Sequence, residues 1–232
     1  KLPHNMPPIF LASEMRACFL LRRGGSCRLK NGKNSMSPAS QDPGPGEAGP
    51  QRSQLVPPDD FAALYDGWFA DIRRTTDVLD GWALVGIKRR GAVLARRLLE
   101  DLGGTRGGIP SYGELDISLY RDDYHLQTGA PEVLGTEIPF AVEDKSIVLV
   151  DDVLYTGRTI RAALDLILDF GRPKRIWLAV LVDRGNRELP IEANFTGQVF
   201  ETQKNDRVQV RLVEMGDDYD GVDLTSVVES GA

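Results

Sequence analysis

Two neighbouring carboxylates and a turn rich in hydroxyl groups are the residues of this chain best placed to do chemistry. Asp151 and Asp152 follow an apolar run at 146–150, and the segment 156–159 (Thr-Gly-Arg-Thr) precedes a helical pattern. A glycine between hydroxyl residues at the start of a helix lets successive backbone N–H groups point at one anion, and the helix dipole adds to the attraction. The segment therefore predicts a binding site for phosphate.

The two carboxylates indicate what else the ligand carries. They would repel a lone phosphate, but they accept hydrogen bonds from sugar hydroxyls and stabilise a carbon centre that becomes electron-poor during a reaction. The spacing matches neither the P-loop nor the dinucleotide-binding glycine pattern. A solvated strand end followed by an ordinary turn is the alternative interpretation. Because the carboxylates and the turn occur together, between a buried strand and an amphipathic helix, they favour a site for a phosphorylated sugar.

The apolar patterns around this segment predict a parallel sheet. Residues 146–150 and 176–182 are continuous apolar runs typical of strands buried on both faces, and residues 160–170 between them repeat at helical spacing. Two such strands joined by one helix form a βαβ unit, whose ligands bind beyond the carboxyl ends of its strands. The patterns also predict a helix at 59–76, a strand at 83–87, a helix at 92–102, a strand at 114–120, a long loop at 121–137 and a strand at 208–212.

The composition excludes several classes of site from most of the chain. The 232 residues carry 28 Lys and Arg against 34 Asp and Glu, a net charge of −6. Residues 1–54 hold 8 of these basic residues and 3 of the acidic ones, which leaves a net charge of −11 on residues 55–232. Both cysteines lie in the first segment, and His125 is the one histidine after it. Cysteine nucleophiles, disulfides, thiolate zinc sites and multi-histidine sites are thus excluded from residues 55–232.

Residues 1–54 are predicted to be a disordered or spurious extension, and residues 55–232 a single domain. Residues 36–54 consist largely of Ser, Pro, Gly, Gln and Ala, a composition that cannot bury a core. No apolar run approaches the roughly 18 residues that a membrane-spanning helix needs. We therefore expect a cytoplasmic protein without a membrane partner.

Several segments give the chain a resemblance to a known family. Residues 147–159 resemble the phosphoribosyl-pyrophosphate signature of the type I phosphoribosyltransferases, and residues 85–88, 116–123 and 171–173 with 178–185 resemble the PyrR family in particular. Members of that family are bacterial attenuation regulators of pyrimidine operons that also have uracil phosphoribosyltransferase activity. The resemblance implies an α/β fold with a mostly parallel sheet flanked by helices and a flexible loop over the active site.

The implied reaction joins uracil to phosphoribosyl pyrophosphate and gives UMP and pyrophosphate. Mg²⁺ would be carried on the diphosphate and the ribose hydroxyls, with no metal site made by the protein alone. The implied catalytic residues are Asp151, Asp152 and Arg121, and Arg121, on the long loop, would close over the diphosphate. The residues implied for phosphoribosyl pyrophosphate are Lys88, Arg89, Arg90, Gly91, Val153, Leu154, Tyr155, Thr156, Gly157, Arg158 and Thr159. The residues implied for the base are Val182, Asp183 and Arg184.

Local substitutions argue against the regulatory half of the family's function. Binding an mRNA stem-loop needs basic and hydrogen-bonding side chains over one face. Where the family commonly has an Arg/Thr/His face on its first helix, this chain has Ala63, Asp66, Gly67 and Ala70. Where the family has a His, an Arg and a Lys further on, this chain has Asn186, Glu192 and Gln198. Arg187 is the RNA-binding candidate that remains in that group.

We therefore expect uracil phosphoribosyltransferase activity, with UMP-responsive binding to the pyr mRNA leader weakened or lost. A phosphoribosyltransferase for another nucleobase, such as a purine, without RNA binding is the alternative. The resemblance also implies a homo-oligomer.

Overall fold

The computed structural model describes residues 51–103, 109–118 and 135–226, which contain eight strands and three α-helices. In chain order these elements are β1 (Gln51–Val56), α1 (Pro58–Thr76), β2 (Ala83–Ile87), α2 (Arg90–Asp101), β3 (Ser111–Leu115), β4 (Ser146–Leu154), α3 (Arg158–Asp169), β5 (Arg175–Asp183), β6 (Phe195–Val199), β7 (Arg207–Arg211) and β8 (Gly221–Ser226). None of the helices in these ranges has an apolar stretch that could span a bilayer.

Five strands form a parallel sheet in the order β3-β2-β4-β5-β6. Successive residues of a strand point to opposite faces, and both faces are covered. Leu84 and Val148 pack on the side of α1 and α2, whereas Val85 and Leu149 pack on the side of α3. Burial on both faces explains why the central strands read as continuous apolar runs, and it confirms the predicted parallel βαβ unit of β4, α3 and β5.

A second, antiparallel sheet has the order β1-β8-β7. Strand β1 begins at Gln51, so residues 51–54 belong to this sheet and not to the extension predicted to end at residue 54. The four residues are polar and exposed, which is why no apolar pattern marks them. The predicted extension otherwise lies outside the described residues.

Three other boundaries differ from the sequence patterns. Strand β3 ends at Leu115, and not near residue 120, because Asp116 leaves the sheet and accepts hydrogen bonds from the backbone of Ser118 and Gly135. Strand β4 continues through Asp151 and Asp152 to Leu154, paired with β5. Helix α2 begins at Arg90, which places Gly91 in its first turn.

Gly86 shows how tightly α2 packs on the parallel sheet. A Cβ at this position would lie 2.5 Å from the Cα and 2.9 Å from the N of Ala92. Both are backbone atoms, so the contact could be relieved only by moving the helix. We expect Gly86→Ala to lower the free energy of unfolding by about 1–3 kcal/mol, measured by urea denaturation.

Gly67→Ala is the matched control. Gly67 lies in the middle of α1, exposed, and a Cβ there would have no neighbour within 4 Å. This substitution should raise the free energy of unfolding by about 0.5–1 kcal/mol, because alanine is the better helix former. If Gly86→Ala were as stable as the unsubstituted chain, the close packing of α2 on β2 would be wrong.

Candidate active site

A cleft opens where the strand order of the parallel sheet reverses. Strand β2 connects through α2 to β3 on one side, while β4 lies on the other side of β2. The carboxyl ends of β2 and β4 diverge there, which is the position at which open α/β sheets bind ligands. The cleft measures about 280 Å³ and is lined by Ile87, Lys88, Arg89, Arg90, Ile117, Ser118, Asp151, Asp152, Val153 and Thr159.

The turn between β4 and α3 has the geometry of an anion site. Gly157 precedes the helix with φ of +91°, a left-handed conformation that side chains rarely adopt. The Thr156 hydroxyl accepts a hydrogen bond from the backbone N–H of Arg158 at 3.3 Å. The first amides of a helix have no intrahelical acceptor and carry the positive end of its dipole. Residues 156–159 can thus receive a phosphate at the edge of the cleft.

The two carboxylates lie at the floor of the cleft and differ in their surroundings. Asp151 is 6% exposed, and its Oδ1 accepts a hydrogen bond from the backbone N–H of Asp152 at 3.0 Å. Burial raises the pKa of the Asp152 carboxyl, and the neighbouring Asp151 side chain and the positive charge of Arg90 only partly offset this effect. The floor is therefore a place where negative charge is costly until a ligand supplies positive charge.

Helix α2 closes the floor from the side of β2. A Cβ on Gly91 would lie 2.5 Å from the carbonyl oxygen of Val150 and 2.9 Å from the Cα of Asp151. Any side chain at this position would push the first turn of α2 away from the end of β4. Gly91 contributes this close approach.

The basic turn after β2 places its three cations in three directions. The Lys88–Arg89 peptide bond is cis. The Lys88 ammonium donates to the carbonyl oxygen of Gly135 at 2.7 Å and lies 3.4 Å from Glu114. Arg89 is exposed at the cleft. Arg90 donates through Nε to the carbonyl oxygen of Val210 at 2.7 Å, in strand β7.

Asp217 holds Arg90 against the antiparallel sheet. Its Oδ2 lies 3.4 Å from Arg90 Nη2, and its Oδ1 accepts from Arg211 Nη1 at 2.9 Å. Burial alone would raise the pKa of Asp217, but the N–H of Leu212, the Arg211 guanidinium and Arg90 together lower it. The positive charge of Arg90, which lowers the pKa of Asp152, is thus held by an ionised carboxylate in the connection between β7 and β8.

The end of β5 is tied to the end of β4. The Asp183 carboxylate accepts hydrogen bonds from the N–H of Gly185 at 2.9 Å and from the guanidinium of Arg187. The Arg184 guanidinium, 5% exposed as a residue, stacks 3.9 Å from the ring centroid of Tyr155. Burial lowers the pKa of Arg184. Arg184 also donates to Thr202 Oγ1, the Asp206 carbonyl and the Gln203 carbonyl.

Most residues predicted for the site meet at these two strand ends, but not all of them contribute side chains. Leu154 and Val182 are almost fully buried in the core, so only their backbone groups are available to a ligand. Tyr155 faces Arg184 and donates its hydroxyl to the Lys204 carbonyl at 3.0 Å. Arg121, predicted to close over the diphosphate, and His125 lie outside the described residues.

Sequence reasoning missed two sets of contacts. Ile87, Ile117 and Ser118 line the cleft, although the alternating pattern placed Ile117 and Ser118 in a strand. The contacts of Arg187 were missed as well; its partners are Leu154, Tyr155, Asp183, Gly185 and Ile191. One signal in the sequence indicates these contacts: three charged residues occur close together at the end of a buried strand, namely Asp183, Arg184 and Arg187.

Comparisons with known proteins agree with this geometry. The family model for the phosphoribosyl transferase domain matches residues 52–220. The chain is 55% identical over 143 residues, 60% of its own length and 76% of the relative's, to the Bifunctional protein PyrR of Roseiflexus sp. strain RS-1. It is 48% identical over 155 residues, 66% of its own length and 82% of the relative's, to the Bifunctional protein PyrR of Acetivibrio thermocellus.

Solved structures share the fold at low sequence identity. A hypoxanthine-guanine phosphoribosyltransferase from Bacillus anthracis aligns with a TM-score of 0.56 and 16% identity, over 76% of this chain and 98% of that chain. A hypoxanthine phosphoribosyltransferase from Staphylococcus aureus aligns with a TM-score of 0.54 and 18% identity, over 73% of this chain and 90% of that chain. These structures support the type I phosphoribosyltransferase fold and not the choice of base.

The raised pKa of Asp152 predicts a cost in stability. A carboxyl whose pKa is higher in the folded than in the unfolded chain destabilises the fold once it ionises, as pH rises from about 4 through the raised pKa. Asp152→Asn should therefore have a higher free energy of unfolding at pH 8, by on the order of 1 kcal/mol. This gain should shrink as pH falls toward 4, where the aspartate itself is neutral.

Asp80→Asn is the control, since Asp80 is exposed and should show no such pH-dependent gain. Urea unfolding of the unsubstituted chain and both variants, from pH 4 to pH 8, measures the effect. A gain for Asp152→Asn that did not change over this range would refute the burial of an ionised carboxylate.

Proposed function

Because this chain belongs to the PyrR family of phosphoribosyltransferases, we propose that it transfers a phosphoribosyl group to uracil. The reaction breaks the bond between the ribose C1′ and pyrophosphate, which leaves with the electron pair, and forms a bond between C1′ and N1 of uracil, whose proton is lost. The observation that carries the proposal is one cleft lined by the pair of carboxylates, by the basic turn and by Thr159 of the turn that can bind a phosphate.

Each part of the cleft has a task in this reaction. Backbone N–H groups of residues 156–159 and the start of α3 bind the 5′-phosphate. Asp151 and Asp152 accept hydrogen bonds from the ribose hydroxyls and stabilise the positive charge that develops at C1′. The turn at 88–91 binds the departing pyrophosphate, chiefly through its backbone and through Arg89, since the Lys88 ammonium contacts Gly135 and Glu114 and the Arg90 side chain points to β7. Arg121 stays a prediction for closure over the diphosphate.

The residues of the cleft fit a Mg²⁺ ion that arrives with the substrate. Within the described residues, no group of three or more His, Cys, Asp or Glu side chains could hold a metal ion. The Asp151 and Asp152 carboxylates alone are too few for a protein-only cage, while Mg²⁺ commonly binds through one or two carboxylates plus substrate phosphates. Bound in this way, the ion would neutralise charge on the diphosphate.

The choice of uracil rests on the PyrR relatives. The carboxyl end of β5, at Val182–Arg184, supplies the edge against which the base would lie, and the Arg184 side chain orders residues 202–206 beside it. A purine base is the alternative, and competition among bases distinguishes the two. A homo-oligomer and a cytoplasmic location stay predictions.

Asp152→Asn should lower kcat/KM for pyrophosphate release from uracil and phosphoribosyl pyrophosphate by about 100-fold or more, because a preorganised charge is lost at the reacting carbon. Asp80→Asn should leave the rate unchanged. Unlabelled uracil should compete with labelled uracil, while hypoxanthine and guanine should not. Preferential use of a purine would contradict the uracil assignment, and an unimpaired Asp152→Asn variant would contradict the role of the carboxylate.

We further propose that this chain has lost most of its capacity to bind the pyr mRNA leader. Ala63, Asp66, Gly67 and Ala70 are all exposed along one helix, and they offer an RNA phosphate no cation. Helix α1 packs on β6, where Gln198 is exposed. Asn186 and Glu192 are exposed as well. These seven positions therefore reach solvent without positive charge, and Arg187 is the one cation left among the positions that the family resemblance connects with RNA.

Filter binding to a pyr leader stem-loop at 0.1 M salt, with and without UMP, tests the loss. The double variant Asn186→His, Glu192→Arg should bind the RNA at least tenfold more tightly than the unsubstituted chain, because a new phosphate contact replaces a repulsive charge. The double variant Gln54→His, Glu100→Arg makes the same change in charge at two exposed positions elsewhere and should gain much less. UMP-dependent nanomolar binding by the unsubstituted chain would contradict the proposal.

A further inference from the structure

Arg187 touches more of the site than any RNA-binding role requires. Its Nε donates to the Ile191 carbonyl at 3.0 Å, and its Nη2 pairs with Asp183. Its Nη1 lies within hydrogen-bond distance of three carbonyl oxygens, those of Tyr155 at 2.7 Å, Gly185 at 3.2 Å and Leu154 at 3.4 Å. Every nitrogen of the guanidinium therefore already donates within the chain.

The acceptors belong to the two halves of the site. Leu154 ends β4 and Tyr155 follows it into the phosphate-binding turn, whereas Asp183 ends β5 and Gly185 lies two residues beyond it. The strands pair up to Leu154 and Asp183, and the N–H of Arg184 still donates to the Leu154 carbonyl at 3.1 Å. Beyond that point, the described residues show a gap: no backbone N–H donates to the Tyr155 and Gly185 carbonyl oxygens. Arg187 fills this gap, because a guanidinium carries five N–H donors in a rigid planar fork.

The backbone that follows Arg187 also bonds to the turn after β4. The N–H groups of Glu188 and Leu189 donate to the Thr156 carbonyl at 3.0 and 3.1 Å. Side-chain atoms of Leu189 and Ile191 lie within 3.4 Å of the position that a Cβ on Gly157 would take. Residues 187–191 thus lie against the phosphate-binding turn, and the Arg187 side chain sets how far that turn stands from the end of β5.

From these contacts we infer that Arg187 is a positioning residue that fixes the distance between the 5′-phosphate site and the base site. A nucleoside monophosphate spans both sites, whereas ribose 5-phosphate occupies the first alone. The inference rests on the proposed function, since it assumes that the base lies at the end of β5. Positive charge alone is not sufficient for this role. A lysine ammonium is a compact charge and cannot donate to several separated acceptors in one plane, as the arginine guanidinium does.

Arg187→Lys separates this role from the others. We expect the dissociation constant for UMP, measured by calorimetry on the full chain, to rise at least tenfold, while that for ribose 5-phosphate changes less than threefold. The KM for uracil should rise by a similar factor, with a smaller change in the KM for phosphoribosyl pyrophosphate. The control Arg74→Lys, at an exposed arginine of α1, should match the unsubstituted chain in every measurement. Arg187→Gln should show the same selectivity with a larger loss.

The outcomes distinguish failure of the inference from failure of the proposed function. If the unsubstituted chain binds UMP and Arg187→Lys binds it equally well, Arg187 does not position the two sites. Equal losses for UMP and ribose 5-phosphate would also overturn the inference, since they indicate a general loosening of the site. If the unsubstituted chain binds ribose 5-phosphate but gains nothing from the uracil ring, the proposed function fails instead. A thermal melt of Arg187→Lys confirms that the variant is folded.

Discussion

The site depends on the point at which β2 and β4 stop running side by side. Their parallel pairing ends at Gly86 and Val150, after which β2 turns away at Lys88 while β4 continues beside β5 to Leu154. This divergence opens the cleft, which is lined by residues at the carboxyl ends of β2, β3 and β4. The packing of Gly91 on the end of β4 keeps the cleft closed underneath. The phosphate-binding turn, the carboxylates and the basic turn all take their positions from it.

Electrostatics at this point works against the stability of the unliganded fold. Asp152 is held in a place where burial disfavours its ionised form, and the counter-charge of Arg90 is itself anchored through Asp217 to the antiparallel sheet. A ligand that develops positive charge at its sugar relieves this cost. The second sheet, which carries none of the predicted site residues, thereby contributes to the chemistry through one ion pair.

The sequence predicted the centre of the fold well and its edges poorly. Strands β4 and β5 and the inner face of helix α3 are buried, so their apolar side chains recur at the spacing of a strand or a helix and can be recognised in the sequence. Strands β1, β6 and β8 escaped prediction because edge strands and small sheets bury little of their surface; Gln51 and Val199, for example, are exposed. The types of Asp151 and Gly157 mark the candidate site in the sequence, but the side-chain directions of Arg90 and Arg187 depend on contacts between distant segments, which no local pattern records.

Amide hydrogen exchange at residues 156–159 tests most directly whether the turn after β4 binds a phosphate. With ribose 5-phosphate present, we expect these amides and the first turn of α3 to exchange at least tenfold more slowly, while ribose without the phosphate leaves them unchanged. Amides of the exposed strand β1 report any general stabilisation and should not respond. Equal exchange with and without the phosphate would contradict the assignment of this turn, and with it the position of the active site.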